Sequence, residues 1–247
     1  MDDARYELSG KVVLLTGASG GIGRALIRAF LNEGTAEIIA ASRKPIAAQV
    51  PRVRPCTLDV TDTAKVNEAA KAFADRVDVI VNCSGANSNS RIFVPESLAD
   101  ARTEMEVNYF GLLNIVRAFA PAMQHRRQGV IINMLSMVSL VNIPRMATYC
   151  ASKAAAYSLT QAIRAELAPY GIHVCAMLPS ATDTAMTAHL NVPKLKPQTV
   201  ADAVIAAIRD RVEDAHEGLI HGEIYQLLRT DPKFVERQMA AKLHHNN

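Results

Sequence analysis

Short apolar runs alternate along the chain with longer stretches in which apolar positions recur every three or four residues. The short runs fall at 12–16, 37–41, 53–58, 77–83, 129–135 and 172–178. They read as buried strands, most of them continuously apolar instead of alternating, as in a parallel sheet covered on both faces. Between them, the spacing predicts helices over 23–33, 63–74, about 101–124 and 147–169. After Pro197 it predicts a helix over 200–212, a last strand near Leu219 and Ile220, and a polar terminal helix. Strands and helices in strict alternation predict an α/β protein, a doubly wound parallel sheet with helices on both faces. No Pro/Gly/Ser linker or low-complexity segment interrupts the pattern, so residues 1–247 are read as a single domain.

Composition narrows the function classes. With 27 basic and 24 acidic residues the net charge is +3, too balanced to point to nucleic acid. The one dense basic cluster, His125-Arg126-Arg127, is short and reads as a solvated helix end. The first residues are polar and acidic, unlike a signal peptide, and no apolar run reaches the roughly 18 residues of a membrane span. The four cysteines, at 56, 83, 150 and 175, have neither CxxC nor Cys/His spacing. No metal site is expected from them, and free thiols in a reducing cytosol explain them. A cytoplasmic protein that binds neither membrane nor nucleic acid is the expectation.

The first strand runs directly into Thr16-Gly-Ala-Ser-Gly-Gly-Ile-Gly23, and a helix follows. Glycines there permit a tight turn and let the backbone approach a pyrophosphate, whose charge meets the helix N-terminus. The spacing is TGxxxGxG, and it resembles the short-chain dehydrogenase/reductase superfamily. The resemblance continues through Asp59-Val60, Asn82-Cys-Ser-Gly85, Asn108, Ser136, Tyr149-x-x-x-Lys153 and Pro179-Ser-Ala-Thr-Asp-Thr184. Cys83 and Ser84 replace the family's usual Asn and Ala, and Ser180 replaces a usual glycine. None of these removes a reactive group.

The resemblance implies a Rossmann fold in which 1–135 mainly bind the nucleotide and 136–247 carry the catalytic residues, the substrate loop and the C-terminal helices. It implies nucleotide contacts from Gly17, Ser19, Gly20, Gly21, Ile22 and Gly23, and adenine contacts from Asp59 and Val60. Further cofactor contacts are implied for Asn82, Ser84, Gly85, Tyr149, Pro179, Thr182 and Thr184. Lys153 is implied to hold the nicotinamide ribose, and Asn108 a water leading to Lys153.

Lys153 has a tyrosine four residues away on each side, Tyr149 and Tyr157. Tyr149 falls in the first turn or two after Pro144, beside the crevice at the carboxyl ends of the strands. Tyr157 lies about 12 Å further down the axis and reads as a packing residue. A phenol near pKa 10 is a poor base at neutral pH, and a neighbouring ammonium, a cationic nicotinamide and a helix N-terminus all favour phenolate. Tyr149 is therefore the expected proton donor or acceptor, Lys153 its tuner, and Ser136 a hydrogen-bond donor to the reacting oxygen. Ser139 competes with Ser136, which is preferred because it directly follows the apolar run. For Asn108 the plain alternative is a helix residue satisfying nearby backbone.

The second strand ends in Ala40-Ala41-Ser42-Arg43-Lys44, with no acid between Ala40 and Pro51 to take a ribose diol. Ser42 and Arg43 suit a 2′-phosphate, which favours NADP over NAD. Segments 87–93, 137–146 and 183–193 should surround the reacting carbonyl. Their Phe93, Met137, Val138, Leu140, Val141, Ile143, Met146, Met186 and Leu190 favour an apolar aldehyde, ketone or secondary alcohol. Arg91 and Arg145 could meet an anionic group or simply be solvated. The reading is an NADP(H)-dependent carbonyl reductase or alcohol dehydrogenase. An NAD-dependent dehydrogenase, an epimerase or dehydratase using the nucleotide transiently, and a nucleotide sensor without turnover are its rivals. Apolar residues around much of helix 101–124 suggest burial on two sides, and with the resemblance they imply a homodimer or homotetramer.

Overall fold

A computed structural model of the chain describes residues 5–44, 46, 50–218 and 221–241. Seven strands form one wholly parallel sheet: β1 Val12–Thr16, β2 Glu37–Ser42, β3 Val53–Thr57, β4 Val79–Asn82, β5 Gly129–Met134, β6 Ile172–Pro179 and β7 Asp214–Glu217. Their order is β3-β2-β1-β4-β5-β6-β7, so the chain reverses direction across the sheet between β1 and β4. Ligands bind beyond the strand carboxyl ends at such a switch point.

Among the described residues, eight α-helices accompany the strands: α1 Gly21–Asn32, α2 Thr63–Phe73, α3 Ser97–Met105, α4 Gly111–Arg126, α5 Ala147–Leu167, α6 Pro197–Arg209, α7 His221–Thr230 and α8 Pro232–Ala241. Leu14, Ile80, Ile131 and Val174 point to one face, where α2, α4 and α5 supply Val66, Phe119 and Ala156. Their neighbours Val13, Val79, Ile132 and Cys175 point to the other, against Leu26 and Phe30 of α1 and Val204 and Ile208 of α6. Alternation along each strand thus feeds two separate apolar layers, which is why the central strands carry no polar face. One polar chain crosses this interior. Asn82 Nδ2 donates to Asn133 Oδ1 at 2.9 Å, and Asn133 Nδ2 to Thr160 Oγ1 at 3.0 Å. It ties β4, β5 and α5 together beneath the crevice.

Four sequence expectations need correction. β3 is not buried: it is the edge strand, and Arg54, Pro55 and Thr57 face solvent. The helix expected over 101–124 starts at Ser97, passes through a π turn at Glu106–Phe110 and ends at Arg126. The helix expected over 200–212 occupies Pro197–Arg209, because Pro197 fits a first helical position. The last strand, β7, precedes the expected site, and Leu219 and Ile220 lie outside the described residues. Short polar Asp-Ala-His-Glu carries no apolar signal, and its pairing with β6 supplies the order instead. Among the described residues, no helix is long and apolar enough to cross a membrane.

Candidate active site

At the end of β1 the chain turns on Gly17, whose φ of +64° favours glycine. A Cβ there would lie 2.6 Å from Cys83 O and 2.8 Å from Ser84 N. At Gly21 a Cβ would meet Thr184 Cγ2 at 2.7 Å, and at Gly23 it would overlap the Gly17 carbonyl. Missing side chains therefore let the segments after β1, β4 and β6 meet backbone to backbone. Thr16 Oγ1 accepts from Cys83 N at 3.0 Å and Ser84 N at 3.1 Å, while Ala18 N donates to Ala41 O at 3.1 Å. Ser19, Gly20 and Gly21 are exposed at this mouth. Gly20 caps α1, whose first turn holds no acid, so the positive helix end opens on the crevice. Asn82 Oδ1 is buried there without a partner. These residues fit a dinucleotide: a cradle too close for any Cβ, a helix N-terminus for the phosphates and an unused acceptor beyond.

At the adenosine end Arg43 and Lys44 are exposed, whereas Ser42 is buried and donates its hydroxyl to Lys44 O at 2.5 Å. The Ser42 proton is thus committed to the turn, and any phosphate recognition falls to Arg43 and Lys44. Asp59 accepts from Thr61 N at 3.0 Å and Thr61 Oγ1 at 2.8 Å. Those bonds, with Arg43 nearby, hold its carboxyl below the usual range despite partial burial. Val60 packs under Gly111.

Tyr149 is the third residue of α5 and Lys153 lies one turn on, its Nζ 5.8 Å from the Tyr149 ring centre. Lys153 is 5% exposed and donates to Met134 O at 2.9 Å. Ser136, just past β5, donates to Pro179 O at 3.4 Å and stands within hydrogen-bonding reach of the Tyr149 phenol. Ser139 faces the interior with an unpartnered hydroxyl in the turn at Met137–Ser139. Tyr157 donates to Asp214 Oδ2 at 2.8 Å, away from this group.

Tyr149 differs electrostatically from the sequence expectation. Burial pushes its phenol up, Cys150 and Glu104 add to that, and only the Ser136 hydrogen bond lowers it. Burial likewise brings Lys153 down to about 8, with Cys83 opposing, and lifts the Cys83 thiol to about 12. Tyr149 keeps part of its surface open to solvent, which tempers the desolvation. Without nucleotide, the resting phenol is a proton donor. The ammonium is held by the Met134 carbonyl, and desolvation is the largest influence on the phenol.

Asn108 sits in the π turn and is 2% exposed. Its Oδ1 accepts from Ala86 N at 2.9 Å, and its Nδ2 donates to Ala86 O at 2.9 Å and to Ser152 Oγ at 2.8 Å. The side chain is spent on protein partners, so a water near Lys153 would have to be held by main chain. Gly85 lies between them, its Cβ position 3.4 Å from Asn108 Oδ1 and 3.8 Å from Lys153 Nζ.

The 183–193 segment is closed at its base by Asp183 N to Leu195 O and Leu195 N to Ala181 O, both 2.8 Å. Thr182 is buried, its hydroxyl on Ser180 O at 3.1 Å, and Thr187 turns its hydroxyl onto Thr182 O. This tethered loop brings Thr184 over the glycine turn. Of the expected apolar wall, Val138 and Met146 pack with Cys150 and Tyr149, but Phe93 is 99% exposed. Arg91 is exposed as well. Val141 instead packs on Val235 and Met239 of α8, which bounds the substrate side with residues that sequence reasoning did not assign to it. Thr16 and Glu104 were also missed. Position at the carboxyl end of the first strand could have flagged Thr16.

Residues 11–194 match the family described as short chain dehydrogenase. Nodulation protein G of a Rhizobium species is 35% identical over 214 residues, covering 83% of this chain and 84% of that protein. The 3-ketodihydrosphingosine reductase of Bacteroides thetaiotaomicron is 29% identical, covering 81% of this chain and 75% of that one. A crystal structure of a short chain dehydrogenase from Burkholderia cenocepacia in complex with NADP superposes with a TM-score of 0.89. It is 36% identical, covering 95% of this chain and 99% of that one.

Proposed function

The chain belongs to the short-chain dehydrogenase/reductase family of oxidoreductases, and on that premise we propose that it interconverts a carbonyl compound and a secondary alcohol using NADP(H). The observation that carries this reading is the convergence of the Ser136 hydroxyl, Tyr149 phenol and Lys153 ammonium beside the glycine cradle. When bound, the nicotinamide supplies or takes the hydride. The glycine turn and the N-terminus of α1 would hold the pyrophosphate, and Asn82 Oδ1 is free to accept a hydrogen bond further along. In reduction Tyr149 gives its phenolic proton to the carbonyl oxygen, and Ser136 donates a hydrogen bond to that oxygen as negative charge grows on it. In oxidation both transfers reverse. Lys153 steadies the phenolate left behind. Asn108, through Ala86, keeps Gly85 close against Lys153.

The preference for NADP rests on Arg43 and Lys44, two exposed cations with no carboxylate at the end of β2, and the NADP-bound Burkholderia relative agrees with it. Arg43→Ala should weaken NADP about tenfold and leave NAD nearly unchanged, since a hydrogen bond to a charged group is worth about 1.5–3 kcal/mol. Exposure and salt place the loss at the low end of that range, so titrations are to be compared at one ionic strength. Equal losses for both nucleotides would make Arg43 a bystander and favour an NAD-dependent enzyme.

Assembly follows from the outer faces of α4 and α5. Phe110 leads into α4 with 42% of its surface exposed, and α5 presents Ala151, Ala154, Ser158, Ala162 and Ala165 to solvent. Small residues at three- and four-residue spacing let another helix approach closely. A homodimer or homotetramer through this face is proposed. Light scattering at micromolar concentration should give at least twice the 26.7 kDa chain mass, and a monomer would overturn this.

A further inference from the structure

Glu104, on the last turn of α3, is 0% exposed. Its Oε1 accepts from Ser88 N at 2.7 Å, and its Oε2 is enclosed without a partner. None of the ion pairs among the described residues includes it. One turn on, Asn108 binds both polar atoms of the Ala86 backbone. Two side chains spaced i and i+4 therefore pin alternate residues of the crevice loop. Asn108 also bonds Ser152 on α5. The helical segments after β4 and β5 both follow strands of one parallel sheet, so they run in the same direction. Stepping one turn back from the Asn108–Ser152 pair brings Glu104 opposite Thr148 and Tyr149. Thr148 Oγ1 is likewise buried without a partner.

Holding a main-chain N–H requires only a neutral acceptor. Glutamine has the same reach and avoids the cost of burying a charge with one hydrogen bond. A carboxylate at this position, facing the start of α5, favours the protonated form of the Tyr149 phenol and of the Cys150 thiol.

We propose that Glu104 is a positioning residue for the reaction: it fixes the crevice loop at Ser88, and its half-used carboxyl group, enclosed against the start of α5, holds the Tyr149 phenol ready to give its proton. This rests on Tyr149 being the proton-transfer group. The other titratable groups around the phenol are Lys153 and Cys150 on α5 and Cys83 after β4. Arg145 stands in the turn leading into α5, and Arg102 and Glu106 flank Glu104 on the exposed side of its own segment.

The test is a tyrosinate titration with NADP bound, taken for each protein as the difference from its own Tyr149→Phe version. Glu104→Gln keeps the acceptor for Ser88 and removes the charge. Its midpoint should fall by on the order of one pH unit. The alkaline loss of carbonyl reduction should move down equally, with KM unchanged and the melting temperature no lower. Glu104→Asp keeps the charge but cannot reach Ser88, so it should retain the wild-type midpoint and raise KM. A wild-type midpoint in the Gln variant, or an equal fall in the Asp variant, overturns the proposal. The titration needs no turnover, so a wild-type protein that is inactive would count against the proposed function and leave this result readable.

Discussion

Tyr149→Phe should lower the rate of hydride transfer by about 10²–10⁴-fold, the range that a positioned proton donor contributes. The substitution removes one oxygen from a side chain packed against Val138, Met146 and Cys150, and leaves that packing in place. Folding and nucleotide affinity should therefore be unchanged. Lys153→Met should also abolish turnover and in addition weaken the nucleotide, because Nζ stands at the crevice beside Gly85. Tyr157→Phe is the internal control. It loses the 2.8 Å bond to Asp214 and about 1–2 kcal/mol of stability, with activity retained. Comparable turnover in wild type and Tyr149→Phe would remove the phenol from the mechanism.

Gly17→Ala should cause a large structural loss, because two separate costs meet at one position. The backbone at φ +64° disfavours a side chain by about 1–2 kcal/mol. Its Cβ would also stand 2.6 Å from the Cys83 carbonyl, a backbone atom that cannot rotate away. Overpacking of this kind costs about 1–3 kcal/mol more. In a chain of 247 residues this corresponds to a melting temperature lower by roughly 4–20 °C. Nucleotide binding should fall with it, since relief can come only by separating the turn after β1 from the loop after β4. Gly10→Ala separates the two causes: Gly10 has φ +73° but nothing within 4 Å of its Cβ position. It should lose only the conformational part and bind nucleotide normally. If the two variants behave alike, close approach at Gly17 is not what the glycine provides.

Much of this arrangement is legible in the sequence because its causes are local. Continuous apolar runs in 12–16, 129–135 and 172–178 mark strands buried on both faces, and a glycine turn between strand and helix has few other uses. β3 misled because Val53 and Cys56 carry an apolar signal, while its position at the edge depends on sheet order, which no single strand encodes. β7 was misplaced because its polar residues are ordered by pairing with β6. The phenol illustrates the same limit. Spacing puts Lys153 a turn from Tyr149, but not the Met134 carbonyl that holds the ammonium or the burial that lifts the phenol. Glu104 reads as one more charge on a helix with polar neighbours at Arg102 and Glu106. Only the fold folds it inward onto Ser88.

The central claim is that Ser136, Tyr149 and Lys153 carry out NADP-linked carbonyl reduction beside the glycine cradle. The most direct measurement is the absorbance of reduced nicotinamide, followed with NADPH across a panel of aldehydes and ketones in wild type and Tyr149→Phe. Carbonyl-dependent loss of NADPH absorbance in the wild type, faster than with NADH and absent in the variant, is the expected result. Tight NADPH binding with no carbonyl-dependent change in either protein would contradict it and favour a nucleotide-binding protein without turnover.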